Sequence, residues 1–314
     1  MTTDSFKTST MVPQGAVQLT HWGVIAVDGA DAASFLHGQL TQDFSLLGAD
    51  EARLAGYCSP KGRLLASFVG WKESSERVLL ACSADLLAPT LKRLSMFVLR
   101  AKAKLSDASA EVRLWGLAGD AATGWLADAA PTRAWGKAAA HGGTAVRLPD
   151  AHGSARYLWA APADRTPDLP ALDAAIWRWL EVESAVARIC AATVDQFVPQ
   201  MVNLEAVGGV NFKKGCYPGQ EVVARSQYRG TLKRRGYLLA CPAEAVAGQE
   251  VFHSGDPGQP CGMVVDAAAA PEGGWSVFAE LKIAATESGT LHLGSPQGPA
   301  LTLRVLPYAL PSEP

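Results

Sequence analysis

The sequence predicts an α+β protein that ends in a small antiparallel β-barrel. Two patterns carry that expectation. In the first hundred residues, apolar runs of strand length alternate with two segments whose apolar positions recur at helical spacing. Beyond Thr231, five brief apolar runs follow one another between glycine- and proline-containing turns, the rhythm of a closed antiparallel sheet or sandwich.

The elements follow in chain order. Residues 24–27 form a short strand, and 31–40 an amphipathic helix in which Ala32, Phe35, Leu36 and Leu40 share a face behind Asp31 as cap. Residues 53–58 and 64–71 make a hairpin around Ser59-Pro60-Lys61-Gly62, and 78–82 a third strand. A helix over 85–97 puts Leu86, Leu87, Leu91, Leu94 and Val98 on one side. Residues 121–170, rich in Ala, Gly and Pro, read as the rest of this α/β unit with surface loops and carry no visible chemistry. Pro167 and Pro170 precede a helix from 171 to about 186. The barrel strands are expected at 237–240, 250–252, 262–265, 275–281 and 301–306. The expected division is a region 1–230, of two subdomains with a break near 105–120, and a barrel over 231–314.

The totals exclude several classes. With 314 residues, 48% of them apolar, the chain can build two or three cores. A net charge of -2 leaves no global polyanion binder, so any anion site is local. Residues 1–20 hold no apolar run of the signal-peptide kind. The most apolar stretch, 174–194, is interrupted by Arg178, Glu181, Glu183 and Arg188, so no membrane span and a cytoplasmic location are expected. No two of the six cysteines lie closer than twenty positions, and the histidines are equally scattered. No stable metal site is expected, because clusters and zinc sites draw their ligands at tight spacings.

Residues 211–235 carry the most information. Tyr217-Pro218-Gly219-Gln220 places Pro and Gly where a type II turn needs them, and Gly215 lets the chain bend before Cys216. Residues 220–228 fit a short helix, although Val222 and Val223 also accept a strand. In the helical case Cys216 precedes a helix N-terminus, and Lys213 and Lys214 add positive charge. Both favour the thiolate and mark Cys216 as a reactive thiol. The alternative is a small apolar side chain buried under the turn. Lys213, Lys214, Arg225, Arg229, Lys233, Arg234 and Arg235, against Glu221 alone, form a candidate anion platform or else a solvated face.

The run Lys214-Gly215-Cys216-Tyr217-Pro218-Gly219-Gln220-Glu221 resembles the signature of the YgfZ family, folate-binding proteins related to the T protein (aminomethyltransferase) of the glycine cleavage system. The similarity extends through Phe197-Val198-Pro199-Gln200, Asn203-Leu204, Gly208-Gly209, Ala224-Arg225 and Arg229-Gly230. It reaches, more weakly, His21-Trp22, Gly38-Gln39-Leu40-Thr41 and Ser59-Pro60-Lys61-Gly62.

The resemblance implies a ring-like arrangement of aminomethyltransferase-like folate-binding subdomains with the barrel behind them. It also implies a bound reduced folate of the tetrahydrofolate type and a role in assembly or repair of iron–sulfur clusters. Iron–sulfur enzymes or assembly proteins would then be the partners, and tRNA modification would be supported indirectly. The family's thiol falls on Cys216, with Lys214 beside it. The folate site would set Trp22 and Trp177 against the ring and Glu183 toward the pterin nitrogens, while Trp179 stays in the core. From the residues alone, core is the other reading of both Trp22 and Trp177. Trp177 and Glu183, six residues apart, are separated by about 600° of helical rotation and share no face closely.

Two departures matter. Ala66 and Ser67 stand where the T protein carries its folate-orienting acid, which argues against aminomethyl transfer. Ala185 replaces a glycine after the acidic residue, leaving the aim of Glu183 open. The readings in competition are the accessory factor, a folate-dependent aminomethyltransferase, and an RNA-binding protein using the 213–235 segment. No aromatic RNA-binding pattern accompanies those charges, so direct tRNA contact is only weakly indicated.

Overall fold

The structure, a computed structural model, describes residues 12–228 and 232–311. Strand β1 (Gly15–Gln18) belongs to the second sheet. The first sheet follows it in the chain with β2 (Trp22–Asp28), β3 (Ala52–Cys58), β4 (Leu64–Lys72), β5 (Arg77–Ser83) and β6 (Lys104–Asp107), in the antiparallel order β3-β4-β5-β2-β6. Its strands are apolar on both faces because both are covered. Val24, Ala26, Leu79 and Ala81 face the middle of the molecule. Ile25, Val27, Val78 and Leu80, one residue out of step, face helices α1 (Ala32–Gln39) and α2 (Ala84–Ser95).

The chain then enters a second antiparallel sheet, order β1-β7-β10-β9-β8, built from β7 (Val112–Ala118), β8 (Lys137–Ala140), β9 (Gly143–Ala151) and β10 (Ser154–Pro162), with α3 (Gly119–Leu126) on its outer face. Three strands of this sheet, β8, β9 and β10, lie in the stretch 121–170 that was expected to complete the first α/β unit with surface loops. Its strands are alanine-rich and weak by propensity, and pairing makes them strands: Tyr157 and Trp159 of β10 bury against Leu117 of β7 and against α3. The Asp31 cap is also corrected. No side-chain cap bond forms, and the Asp31 carboxylate instead accepts the Lys102 N–H at 2.7 Å.

Helix α4 (Ala174–Glu183) starts at Asp173, whose carboxylate accepts the Ala175 N–H at 2.8 Å. An irregular segment follows, ending in α5 (Gln220–Tyr228), which decides the 220–228 ambiguity for helix. This segment runs along the first sheet, where the Leu64 N–H reaches the Phe197 carbonyl at 2.7 Å. It is tied to the barrel by the Asn203 amide, which donates to the Gly236 carbonyl at 2.8 Å and accepts its N–H at 3.1 Å. The barrel is closed by β11 (Arg234–Cys241), β12 (Glu250–His253), β13 (Asp256–Ala269), β14 (Trp275–Lys282), β15 (Leu291–Leu293) and β16 (Ala300–Arg304), in the order β11-β14-β13-β12-β15-β16 with β16 returning to β11. One core joins both sheets, α4, the irregular segment and the near wall of the barrel. Among the described residues no helix is long and apolar enough to cross a membrane.

Candidate functional site

Cys216 is the exposed cysteine. Cys58, Cys82, Cys241 and Cys261 are buried and Cys190 is half-buried. Burial pushes the Cys58 and Cys82 thiols up to about 12, so neither ionises near neutrality. The turn holding Cys216 forms as its sequence dictates: the Gln220 N–H bonds the Tyr217 carbonyl at 3.2 Å and Gly219 takes φ +78°. Gly219 is also pressed on the turn between β3 and β4, where an added Cβ would lie 2.4 Å from the Ser59 carbonyl oxygen. Gly62, at φ +72°, meets Val222 in the same way. Two glycine turns far apart in sequence interlock, and the cysteine stands out beside them.

Lys214 points inward. Its ammonium donates to the carbonyls of His37 and Leu40 at the C-terminal end of α1 and lies 4.7 Å from the centre of the Tyr217 ring. A cation there satisfies carbonyls the helix leaves unpaired. Burial lowers its proton affinity to about 8, against the opposing pull of Asp43 and Cys216. His37 completes this side. Its Nδ1 is 2.9 Å from the Asp43 carboxylate, and its Nε2 lies 3.2 Å from where a Cβ on Gly215 would stand. Gly215 therefore lets an aspartate-oriented imidazole rest against the cysteine loop. Burial raises the Asp43 carboxyl, but the Leu46 N–H and His37 outweigh it and hold it below the usual range.

Three members of the expected anion platform, Lys214, Arg234 and Arg235, are drawn away from it. Besides the inward Lys214, Arg234 pairs with Glu280 and the buried Arg235 with Glu205. Successive residues of β11 point to opposite faces, so the two arginines find different acids. Arg225 pairs with Glu221 one helical turn away at 3.0 Å. Lys213 and Lys233 are exposed, and Arg229 lies outside the described residues. Among the described residues no cluster of three or more His, Cys, Asp or Glu is arranged to hold a metal ion.

A second feature is a small, largely apolar cavity of about 50 Å³ where the two sheets, α4 and the barrel meet. Trp22, Ser67, Trp135, Arg156, Glu181, Arg188 and Asp266 carry its character. It shares Trp135, Leu148, Pro149 and Ser184 with a neighbouring wider cleft that reaches Arg147 and Tyr308. Glu181 is fully committed: it accepts from Trp22 Nε1 and His21 Nε2, each at 2.8 Å, and from Arg178. Burial opposes its ionisation, but His21, Arg178 and Arg188 keep it ionised far below the usual carboxylate range. Arg178 also reaches Asp266 at 2.8 Å.

Of the three residues expected around a ring, the structure brings only Trp22 to this cavity. Trp177 is 1% exposed, its ring on Gly116 and under the guanidinium of Arg156, 5.5 Å away. Glu183 turns to the other side of α4, where both oxygens pair with Arg304 and His152 lies 3.8 Å off. Trp179 is core, its Nε1 bonded to Ser276 at 3.0 Å. Ala185 takes φ +50°, the left-handed conformation natural to the glycine it replaces. Ser67, one of the two residues standing where the resemblance would place the T protein's acid, lines the cavity, and its hydroxyl accepts the Ile189 N–H at 2.9 Å. Sequence reasoning missed Arg156, Arg188, Glu181, Asp266 and His37. The available signal was Arg156 itself, a charge inside the otherwise apolar strand β10.

No family model matches the chain. It is similar in fold to the glycine cleavage system aminomethyltransferase T from Bartonella henselae, with a TM-score of 0.69 and 18% identity over 96% of this chain and 87% of that one. It is 30% identical to the tRNA-modifying protein YgfZ of Sodalis glossinidius over 96% of this chain and 95% of the relative. To the protein of that name from Edwardsiella ictaluri it is 33% identical, over 95% and 93% respectively. At such identity along nearly the whole of both chains, this protein belongs to the family of the tRNA-modifying protein YgfZ.

Proposed function

We propose that the protein is a reduced-folate-binding accessory factor in the assembly or repair of iron–sulfur clusters, that it supports tRNA modification through the enzymes carrying those clusters, and that Cys216 is its working thiol. The observation that carries this reading is the exposure of Cys216 on a braced loop, while four of the other five thiols are buried. An exposed sulfur on a rigid turn can exchange with a partner's thiol or serve as a transient ligand to iron in transit. Cluster enzymes and assembly proteins are the partners this chemistry fits.

The cavity supports the folate half. Trp22 offers an aromatic wall and Arg156 a polar group without a counter-ion, both lining one partly enclosed cavity. Trp177 contributes from behind, by fixing Arg156, and Glu183 by holding α4 to Arg304 of the barrel. A bound reduced folate would supply one-carbon or redox chemistry at its ring. The chain's own residues hold the ring and exclude water. Aminomethyl transfer finds less support, since Ala66 is buried, Ser67 is committed to Ile189, and the lining carboxylates Glu181 and Asp266 are both ion-paired.

The test is complementation of cells lacking this chain, read as the methylthio-modification of their tRNA by a cluster-dependent methylthiotransferase. Cys216→Ala is expected to fold and bind tetrahydrofolate normally yet leave the modification unrestored. Full rescue by that variant removes the thiol from the mechanism.

A further inference from the structure

Arg156 is 2% exposed on β10, in the wall of the central cavity. Its Nε and Nη2 both donate to the Pro149 carbonyl, at 3.1 and 2.9 Å. Nη1 has no hydrogen-bond partner among the described residues, and the guanidinium forms no ion pair with them. A buried guanidinium without a carboxylate is costly, and proteins seldom keep one without a use for it. The other charged groups around the cavity are partnered: Glu181 by three donors, Arg178 by Glu181 and Asp266, and Arg188 by Ser83 and Asp266. Glu183, the carboxylate expected to read pterin nitrogens, is paired with Arg304 outside the cavity. The uncommitted cation is thus a donor, rigidly aimed by Pro149 below and the Trp177 ring beside it.

We infer that Arg156 is the specificity-determining residue of the cavity, and that it reads a carbonyl or anionic oxygen on the edge of a planar ring lying against Trp22. The inference rests on the folate reading, in which that oxygen is the 4-oxo group of the pterin. The ring end enters deepest because Arg156 is sealed from solvent. The glutamate tail leaves by the wider cleft that passes Arg147 and Tyr308. Burial lowers the proton affinity of Arg156 to about 10, so it remains charged at neutral pH and gains the hydrogen-bond acceptor that its Nη1 lacks when a ring oxygen binds.

Equilibrium binding followed by tryptophan fluorescence tests this with two probes, 5-formyltetrahydrofolate and a 4-amino antifolate that carries a donor in place of the 4-oxo acceptor. The wild type is expected to prefer the 4-oxo probe. Arg156→Gln is expected to weaken it by roughly 10- to 100-fold and to erase the preference, and Arg156→Lys to retain part of it. Because the preference is a ratio within one variant, a partly unfolded sample does not mimic its loss. Binding and preference unchanged in Arg156→Gln overturn this inference while leaving the folate reading intact. A wild type that binds neither probe overturns both.

Discussion

Lys214 spends its charge inside the protein, on the carbonyls of His37 and Leu40, and this has a consequence in pH. Its ordinary value is 10.5, and burial brings the folded group to about 8. Between those values the unfolded chain holds more protons than the folded one, so this group's contribution to stability rises with pH across that window. Lys214→Met is expected to flatten that rise in urea titrations and to cost about 2 kcal/mol at pH 7, by leaving the two carbonyls unpaired. Asp43 works at the acid end with the same sign, since there too the unfolded chain holds more protons than the folded one. Its folded value lies below 3.8, so its stabilisation is complete above that pH and is lost as pH falls through the folded value. Asp43→Asn removes this acid-side loss. At Cys216 itself, brief iodoacetamide treatment of the native protein is expected to add one label, which peptide mass spectrometry assigns to residue 216. Equal labelling at the buried Cys58 would contradict the exposure described here.

At the scale of elements, the two glycines of the signature answer to different constraints. Gly219 has φ +78° and a backbone oxygen 2.4 Å from its missing Cβ, neither of which can give way. Gly219→Ala is expected to destabilise the protein by about 2–3 kcal/mol and to free the cysteine loop from the β3–β4 turn. Gly215 faces only the end of the His37 side chain, at 3.2 Å. Gly215→Ala should keep the fold and displace the imidazole, visible as a changed histidine resonance with an unchanged Tm. The turn at Gly219 was legible because Pro-Gly chemistry is local. Its docking site was not, since nothing in either turn names the other. The basic segment was only partly legible for the same reason: its cations are neighbours in sequence, but the strand alternation of β11 sends Arg234 and Arg235 to separate acids. The barrel was legible because Gly and Pro punctuate its strands. The second sheet was hidden because alanine-rich strands such as β8 exist only through their neighbours.

Over the whole molecule, α4 is the beam between the sheets and the barrel, and ion pairs pin it on two sides. On the cavity side Arg178 joins Glu181 to Asp266 of β13, and on the far side Arg304 of β16 holds Glu183 through both carboxylate oxygens. Glu183 is 4% exposed, whereas the Arg304 side chain keeps 35% of its surface in solvent. The two partners are therefore unequal. Removing Arg304 leaves a carboxylate buried with only His152 at 3.8 Å, while removing the charge of Glu183 leaves a cation that water can still reach. Arg304→Met is expected to cost about 2–3 kcal/mol, toward the low end for breaking a buried pair because the site is partly wet, and Glu183→Gln about 1 kcal/mol. In the double variant most of the larger loss should return, because the stranded charge is gone. A double variant as unstable as Arg304→Met alone would show that the arginine acts through packing, and that the latch on α4 is not electrostatic.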